Sequence, residues 1–278
     1  MTETPAKPVL LTGASGALGR VLTRSLGALG WKLVLTDIAP FADPLPAGAV
    51  FIKADLSDGV TILRLAEGCG TIIHLGGVSV ERPFEEVIGP NIRGLYHVYE
   101  AARREKARVI FASSNHAVGF HERTETIDTD DALLPDGYYG LSKAYGELMG
   151  RMYWFKHGVE SISVRIGSAI REPVNARMLA SWLSYPDFCR LMERCVLASS
   201  VGCEVIWGAS KNARMTWWRD DARATVGWEP IDSADPFAGQ LAGAVSGDPV
   251  EERYMGGAYC SIEYSRMEPA PVWSSKDG

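Results

Sequence analysis

Short runs of consecutive apolar residues alternate along this chain with longer stretches in which apolar residues recur every three or four positions. The short runs are Val9-Leu10-Leu11, Trp31 to Thr36, Val50 to Ala54, Thr71 to Leu75, Arg108 to Ala112 and a segment within Val159 to Ile166. Their brevity and near-continuous hydrophobicity predict buried strands. Between them, Leu18, Val21, Leu22 and Leu26 mark one face of a helix, and a second helix runs through Leu65. Val87, Leu95, Val98 and Ala102 mark a long helical pattern from Phe84 to Lys106, expected to break or restart at Gly89-Pro90. Another helix is expected near Tyr138, running to His157. Strands alternating with helices over short connections predict an α/β fold, a doubly wound parallel sheet with right-handed crossovers. After residue 170 the alternation loosens. Met178 to Ser200 still carries helical spacing, and Val205 to Gly208 reads as one more short strand.

Several punctuating residues give this pattern chemical content. The first strand runs into Thr12-Gly13-Ala14-Ser15-Gly16-Ala17-Leu18-Gly19 and then a helix. In that context Gly13 suits a tight turn, Gly16 a close approach of a pyrophosphate, and Gly19 close packing of helix on strand. The helix start offers N–H groups to phosphates. The second strand ends on Asp37, about 20 residues on, where a dinucleotide fold keeps the carboxylate that accepts ribose hydroxyls. That acid repels a 2′-phosphate, so NAD is favoured over NADP. Asp55-Leu56 ends the third strand on the ligand side, placing Asp55 near an adenine amino group; alternatively Asp55 or Ser57 caps the next helix. Leu75-Gly76-Gly77-Val78-Ser79 follows the fourth strand as a small-residue loop, and Asn91 sits just after a proline, exposed or reaching into the sheet. His74 reads as a core histidine. Ser113-Ser114-Asn115-His116 stand at the tip of the fifth strand, where such sheets keep their chemistry.

Tyr139 and Lys143 are four residues apart, so a helix presents them on one face. A cation beside a phenol favours the phenolate and lowers its pKa, making a base able to deprotonate an alcohol. Alone, the pair also fits a solvated helix face.

Composition narrows the setting. With 46% hydrophobic and 22% charged residues, the chain has the makeup of an ordinary globular protein. Its formal net charge of -6 argues against nucleic acid or an anionic membrane as the main partner. No apolar run approaches the ~20 residues of a membrane span, and the start shows no signal pattern, so a cytoplasmic location is expected. The five cysteines form no C-x-x-C pair, and no metal site is expected. The aromatic residues of the second half read as core or interface, His121 and His157 as surface residues, and the tail from Ser265 as loosely held.

Together, the Gly13/Gly16/Gly19 turn, Asp37, Asp55-Leu56, Asn91, Ser114 and Tyr139-x-x-x-Lys143 resemble the extended short-chain dehydrogenase/reductase family over roughly residues 8 to 170. Within it, His74 to Glu81, Phe111 to His116, Val164 to Ser168, Asn175 to Leu179 and Val205 to Ser210 are most similar to the bacterial NAD-dependent uronate dehydrogenases. One departure is Tyr259, where that pattern has phenylalanine.

The resemblance implies a Rossmann-type NAD-binding domain over residues 1–170 and a small C-terminal substrate-binding portion over 171–278, packed as one unit. It implies oxidation of D-glucuronate or D-galacturonate at C1 to an aldaric acid lactone. Tyr139 would take the hydroxyl proton, Ser114 hydrogen-bond the reacting oxygen, and Lys143 supply charge and hold the nicotinamide ribose. Gly13, Ser15, Gly16, Ala17, Leu18, Gly19, Asp37, Asp55, Leu56, Leu75, Gly76, Asn91 and Ile166 would contact NAD. Arg177 would bind the substrate carboxylate through paired hydrogen bonds. Ser79, Asn115, His116, Ser168 and Tyr259 would complete the sugar pocket, with His116 open between a sugar contact and a loop residue fixed to backbone. The alternatives are a sugar-nucleotide epimerase or dehydratase of the same family and a non-enzymatic NAD-sensing protein. A homo-oligomer is expected, pairing through 84–106 and 136–157.

Overall fold

The computed structural model describes residues 3–219 and 221–267, so most of the tail after Ser265 lies outside the described residues. Seven strands form one parallel sheet: β1 (Val9–Thr12), β2 (Leu33–Asp37), β3 (Ala49–Lys53), β4 (Thr71–His74), β5 (Arg108–Ser114), β6 (Ser161–Ile166) and β7 (Cys203–Gly208). Their spatial order is β3-β2-β1-β4-β5-β6-β7. The chain winds outward from β1 to β3, then returns to place β4 against the other side of β1. That reversal opens a crevice beyond the C-terminal ends of β1 and β4. The register aligns Thr12 with Thr36 and His74, and Ser114 with Ile166, so the strand tips share one rim. This is the Rossmann-type architecture expected from the sequence. β7 comes from beyond residue 170, so the sheet itself runs across that point.

Alternate strand residues serve opposite faces. Val9, Leu11, Leu33, Leu35, Ile73 and Ile110 pack with Leu22 and Leu26 of α1 (Ala17–Ala28) and Phe188 and Leu191 of α7 (Tyr185–Leu197). Leu10, Ile72, Val109 and Phe111 pack with Ile62 of α2 (Gly59–Leu65), Val98 of α4 (Gly94–Glu105) and Met149 of α5 (Tyr138–His157). Truncating one such leucine, as in Leu10→Ala, is expected to cost about 2–5 kcal/mol.

Three local expectations are corrected. The helix from Phe84 does not break at Gly89-Pro90: α3 (Phe84–Val87) passes through a π-helical segment, Ile88–Arg93, into α4. The wider π turn accommodates a proline that cannot donate an α-helical bond. Met178 to Ser200 is not one helix but α6 (Met178–Ser181) and α7, divided where Ser184 accepts from Asp187 N as an N-cap. His121 is buried, not a surface residue: Nε2 meets Ala132 O at 2.9 Å and Nδ1 meets Glu125 at 3.2 Å.

The buried side of α5 packs on the sheet. Its other side exposes Tyr138, Leu141, Leu148, Met152 and Phe155, the last at 80%. With half-buried Tyr145 these recur at alternating intervals of three and four. Among the described residues, no helix is long and apolar enough to cross a membrane.

Candidate active site

A cavity of about 930 Å³ follows the rim of strand tips. Its first wall is mostly backbone. After Thr12 the chain turns at Gly13, whose φ of +72° is left-handed, and a Cβ there would stand 2.6 Å from Gly76 N. A Cβ on Gly19 would lie 2.1 Å from Gly13 O, so only glycine lets α1 start so close to β1. No side chain caps α1 from Gly16, and Ala17, Leu18 and Gly19 line the cavity with the helix's first N–H groups. Asp37 is held at the rim, accepting from Ser15 N through Oδ2 and from Ala39 N through Oδ1, both at 3.0 Å. Each carboxylate oxygen keeps a second acceptor site. Asp55 accepts from Ser57 N at 2.8 Å. Neither residue caps α2; that cap is Asp58, which accepts from Thr61 N. This glycine cradle, bare helix start and fixed carboxylate fit a dinucleotide.

The second wall is built from side chains. β5 ends at Ser114, whose hydroxyl accepts from His116 N at 3.2 Å as the chain enters a 3-10 turn, Asn115–Val118. Tyr139 is buried in the first turn of α5 and hydrogen-bonds Ser114. Lys143, one turn later, donates to Ala112 O at 2.8 Å, with Nζ 5.3 Å from the centre of the Tyr139 ring. Burial pushes the Lys143 pKa down to about 8. Burial also raises the Tyr139 pKa above the ordinary phenol value, opposed by its bond with Ser114. This corrects the expectation that the cation beside it lowers it: desolvation of the phenolate is the larger effect.

Both catalytic candidates ride on a helix capped from a distance. Glu81 accepts from Tyr138 N and Tyr139 N, each at 2.9 Å, satisfying two donors at the head of α5. Glu81 also ties in the C-terminal wall, because its backbone hydrogen-bonds the Tyr259 hydroxyl. That contact uses the one atom by which Tyr259 differs from phenylalanine.

Arg177 is the cation of the cavity's far segment. Its Nε donates to Met255 O at 2.7 Å and its Nη1 lies 3.5 Å from Ser168 Oγ. With the Asn115 amide oriented to satisfy both ends, Asn115 accepts from Arg177 Nη2 at 2.7 Å and donates to Ile166 O at 3.2 Å. No carboxylate among the described residues lies within ion-pair distance of Arg177. Burial lowers its pKa to about 10, which leaves it charged at neutral pH.

Of the residues singled out from the sequence, the cavity brings together Gly13, Ser15, Gly16, Ala17, Leu18, Gly19, Asp37, Asp55, Leu56, Leu75, Gly76, Ser79, Ser114, Asn115, His116, Tyr139, Lys143, Ile166, Ser168, Arg177 and Tyr259. Asn91 is the exception and is corrected. It is buried outside the cavity lining, bonded to Val78 N and O at 2.7 and 3.0 Å and to Ser142 Oγ at 2.9 Å. It shapes the loop at Val78 from behind. His74 is a core residue, 2.7 Å from Thr12 Oγ1, with burial pressing its pKa down to about 3. The sequence reading missed Glu81 and Asp136. It also missed Glu147, which pairs with Arg165 and accepts from Ser113 behind the catalytic strand. Glu147 follows Lys143 by one helical turn, the only signal it offered.

The profile of the NAD dependent epimerase/dehydratase family matches residues 9–178. A uronate dehydrogenase of Pseudomonas putida is 45% identical over 93% of this chain and 97% of its own. This chain belongs to the uronate dehydrogenase family. Solved members superpose closely. The uronate dehydrogenase of Agrobacterium tumefaciens, as a tyrosine-to-alanine mutant complexed with NAD, gives a TM-score of 0.86 at 39% identity, over 98% of this chain and 99% of that one. The glucuronic acid dehydrogenase of Chromohalobacter salexigens gives 0.86 at 41%, over 91% and 96%. Family membership and cavity geometry agree on NAD as the cofactor.

Proposed function

We propose that this chain oxidises D-glucuronate or D-galacturonate at C1 to the aldaric acid lactone, with NAD as the oxidant. The observation that carries the substrate class is Arg177: a charged guanidinium in the same cavity as Tyr139, with no carboxylate partner among the described residues. A substrate carboxylate supplies that partner through charge-assisted hydrogen bonds. Asn115, Ser168 and Met255 hold the guanidinium in place for it.

NAD, when bound, accepts a hydride from the alcohol carbon. Gly13, Ser15 to Gly19, Asp37, Asp55, Leu56, Leu75, Gly76 and Ile166 are proposed to hold it. Ser114 orients the alcohol oxygen by hydrogen bonding, and Tyr139 removes its proton. Lys143 keeps an ammonium beside the phenol, with donors beyond the one given to Ala112 O. Ser79, Ser168, His116 and Tyr259 surround the sugar.

Residues 1–170 are read as the cofactor portion and 171–278 as the substrate portion. The apolar stripe on α5 supports a homo-oligomer in which a second copy covers it, and the chain is read as cytoplasmic. The test is NADH formation over a panel of uronates, neutral aldoses and UDP-sugars. NADH from uronates alone is expected; turnover of UDP-sugars without NADH release points instead to an epimerase or dehydratase.

A further inference from the structure

The carboxylate of Asp136 is completely buried, which carboxylates rarely are unless paired. It sits just before α5, yet Glu81 provides the cap there. Its Oδ2 lies 2.6 Å from His116 Nδ1, with Cys260 Sγ 3.9 Å away, and its Oδ1 has no partner. The two residues are braced again through backbone, Asp136 N donating to His116 O at 3.3 Å. The chain around the carboxylate is cut back to admit it. A Cβ on Gly256 would stand 1.9 Å from Oδ2, one on Gly119 2.0 Å from it, and one on Gly140 2.8 Å from Oδ1.

The geometry points to Asp136 as a positioning residue that turns His116 into a fixed hydrogen-bond acceptor for a substrate hydroxyl; this rests on the sugar-acid reading of the cavity. A carboxylate accepts but does not donate, so Nδ1 carries a ring hydrogen, and in the proposed Nδ1–H tautomer Nε2 is a bare acceptor. Nδ1 faces the buried acid, which leaves the Nε2 edge for the cavity that His116 lines. The ring cannot swing away. Tyr259 stacks on it at 4.0 Å between centroids, and Tyr139 meets it edge-on at 5.8 Å.

The Ser79 and Ser168 hydroxyls and the Glu251 carboxylate also line the cavity; what His116 adds is an acceptor fixed beside Tyr139. Arg177 and Lys143 only donate, and the Asn115 oxygen is taken by Arg177. A sugar acid brings hydroxyl donors as well as a carboxylate, so a pocket built to hold the anion needs an acceptor beside it. His116 supplies one, directed by Asp136.

The test uses NADH formation with glucuronate and galacturonate by wild type, D136N, H116A and the double variant. D136N is expected to lower kcat/KM about tenfold or more, with NAD affinity nearly unchanged. In the H116A background the same substitution is expected to do nothing further, because its effect passes through the ring. Equal losses in both backgrounds, or no loss from D136N, overturn the proposal. Nitrogen-15 NMR of the wild-type imidazoles decides the point without turnover. His116 is expected as the Nδ1–H tautomer, and an Nε2–H signal there overturns the proposal even if D136N fails to fold. Absence of NADH with every uronate rejects the substrate reading instead, and leaves the tautomer result standing.

Discussion

The two walls of the cavity are made of different material. The wall over β1 and β2 presents glycines, helix-start N–H groups and one carboxylate fixed by backbone N–H groups, those of Ser15 and Ala39. The wall over β5 and β6 presents side chains, each held by a residue distant in sequence: Tyr139 through Glu81, His116 through Asp136, and Arg177 through Met255. A backbone site recognises what every dinucleotide shares. A side-chain site can be altered one residue at a time, and substrate choice lives there.

The sharpest break between the walls is Tyr139→Phe. Loss of the proton acceptor is expected to reduce turnover about 10²–10⁴-fold while NAD still binds, as measured by steady-state NADH formation and calorimetric titration of NAD. Near-normal turnover removes Tyr139 as the base.

Lys143 probes the cost of the side-chain wall. Its folded pKa of about 8 lies below the ordinary 10.5, so the folded apo protein disfavours the charged form. That cost is fully present below pH 8 and is lost as pH rises toward 10.5. Lys143→Met is therefore expected to stabilise the apo protein by about 3 kcal/mol at pH 7, with the gain shrinking to nothing by about pH 10.5. Denaturant melts across that range check it; a gain independent of pH contradicts it. The same variant is expected to lose activity.

Arg177→Ala acts on the substrate alone. Removing a charge-assisted contact is expected to raise the uronate KM about 10- to 100-fold, with NAD affinity unchanged. An unaltered KM at wild-type turnover takes Arg177 out of the pocket. The smallest expected effect belongs to the backbone wall. Gly19→Ala, with its Cβ driven against Gly13 O, is expected to cost about 1–3 kcal/mol of stability and to weaken NAD binding without changing substrate preference. A changed ratio of glucuronate to galacturonate rates would erase the division between the walls.

The same division explains what was legible in the sequence. Gly13, Gly16, Gly19 and Asp37 work through backbone geometry that recurs at a fixed spacing in a strand–turn–helix–strand unit, so their spacing suffices to read them. Tyr139 and Lys143 are four apart on one helix and are nearly as plain. Asp136, Glu81 and Glu147 act on partners 20, 58 and 18 residues away in the chain, and no local spacing marks such pairs. Asn91 was visible as a polar residue after a proline, but its direction depends on the π-helical register, which periodicity does not encode. The phenol's raised pKa depends on burial that only the assembled fold supplies.

That π-helical stretch, Ile88–Arg93, also bears on what the gene can tolerate. A π turn holds about one more residue than an α turn. Deleting a single codon there would let the segment relax to ordinary helix, with α3 and α4 still in register but the residues inside the segment redirected. Asn91 would leave Val78 and Ser142, and the loop it shapes would lose its form. Length through these six residues is thus constrained more tightly than identity at most of them. Asn91→Ala is expected to weaken one loop, whereas a one-residue deletion is expected to misplace it.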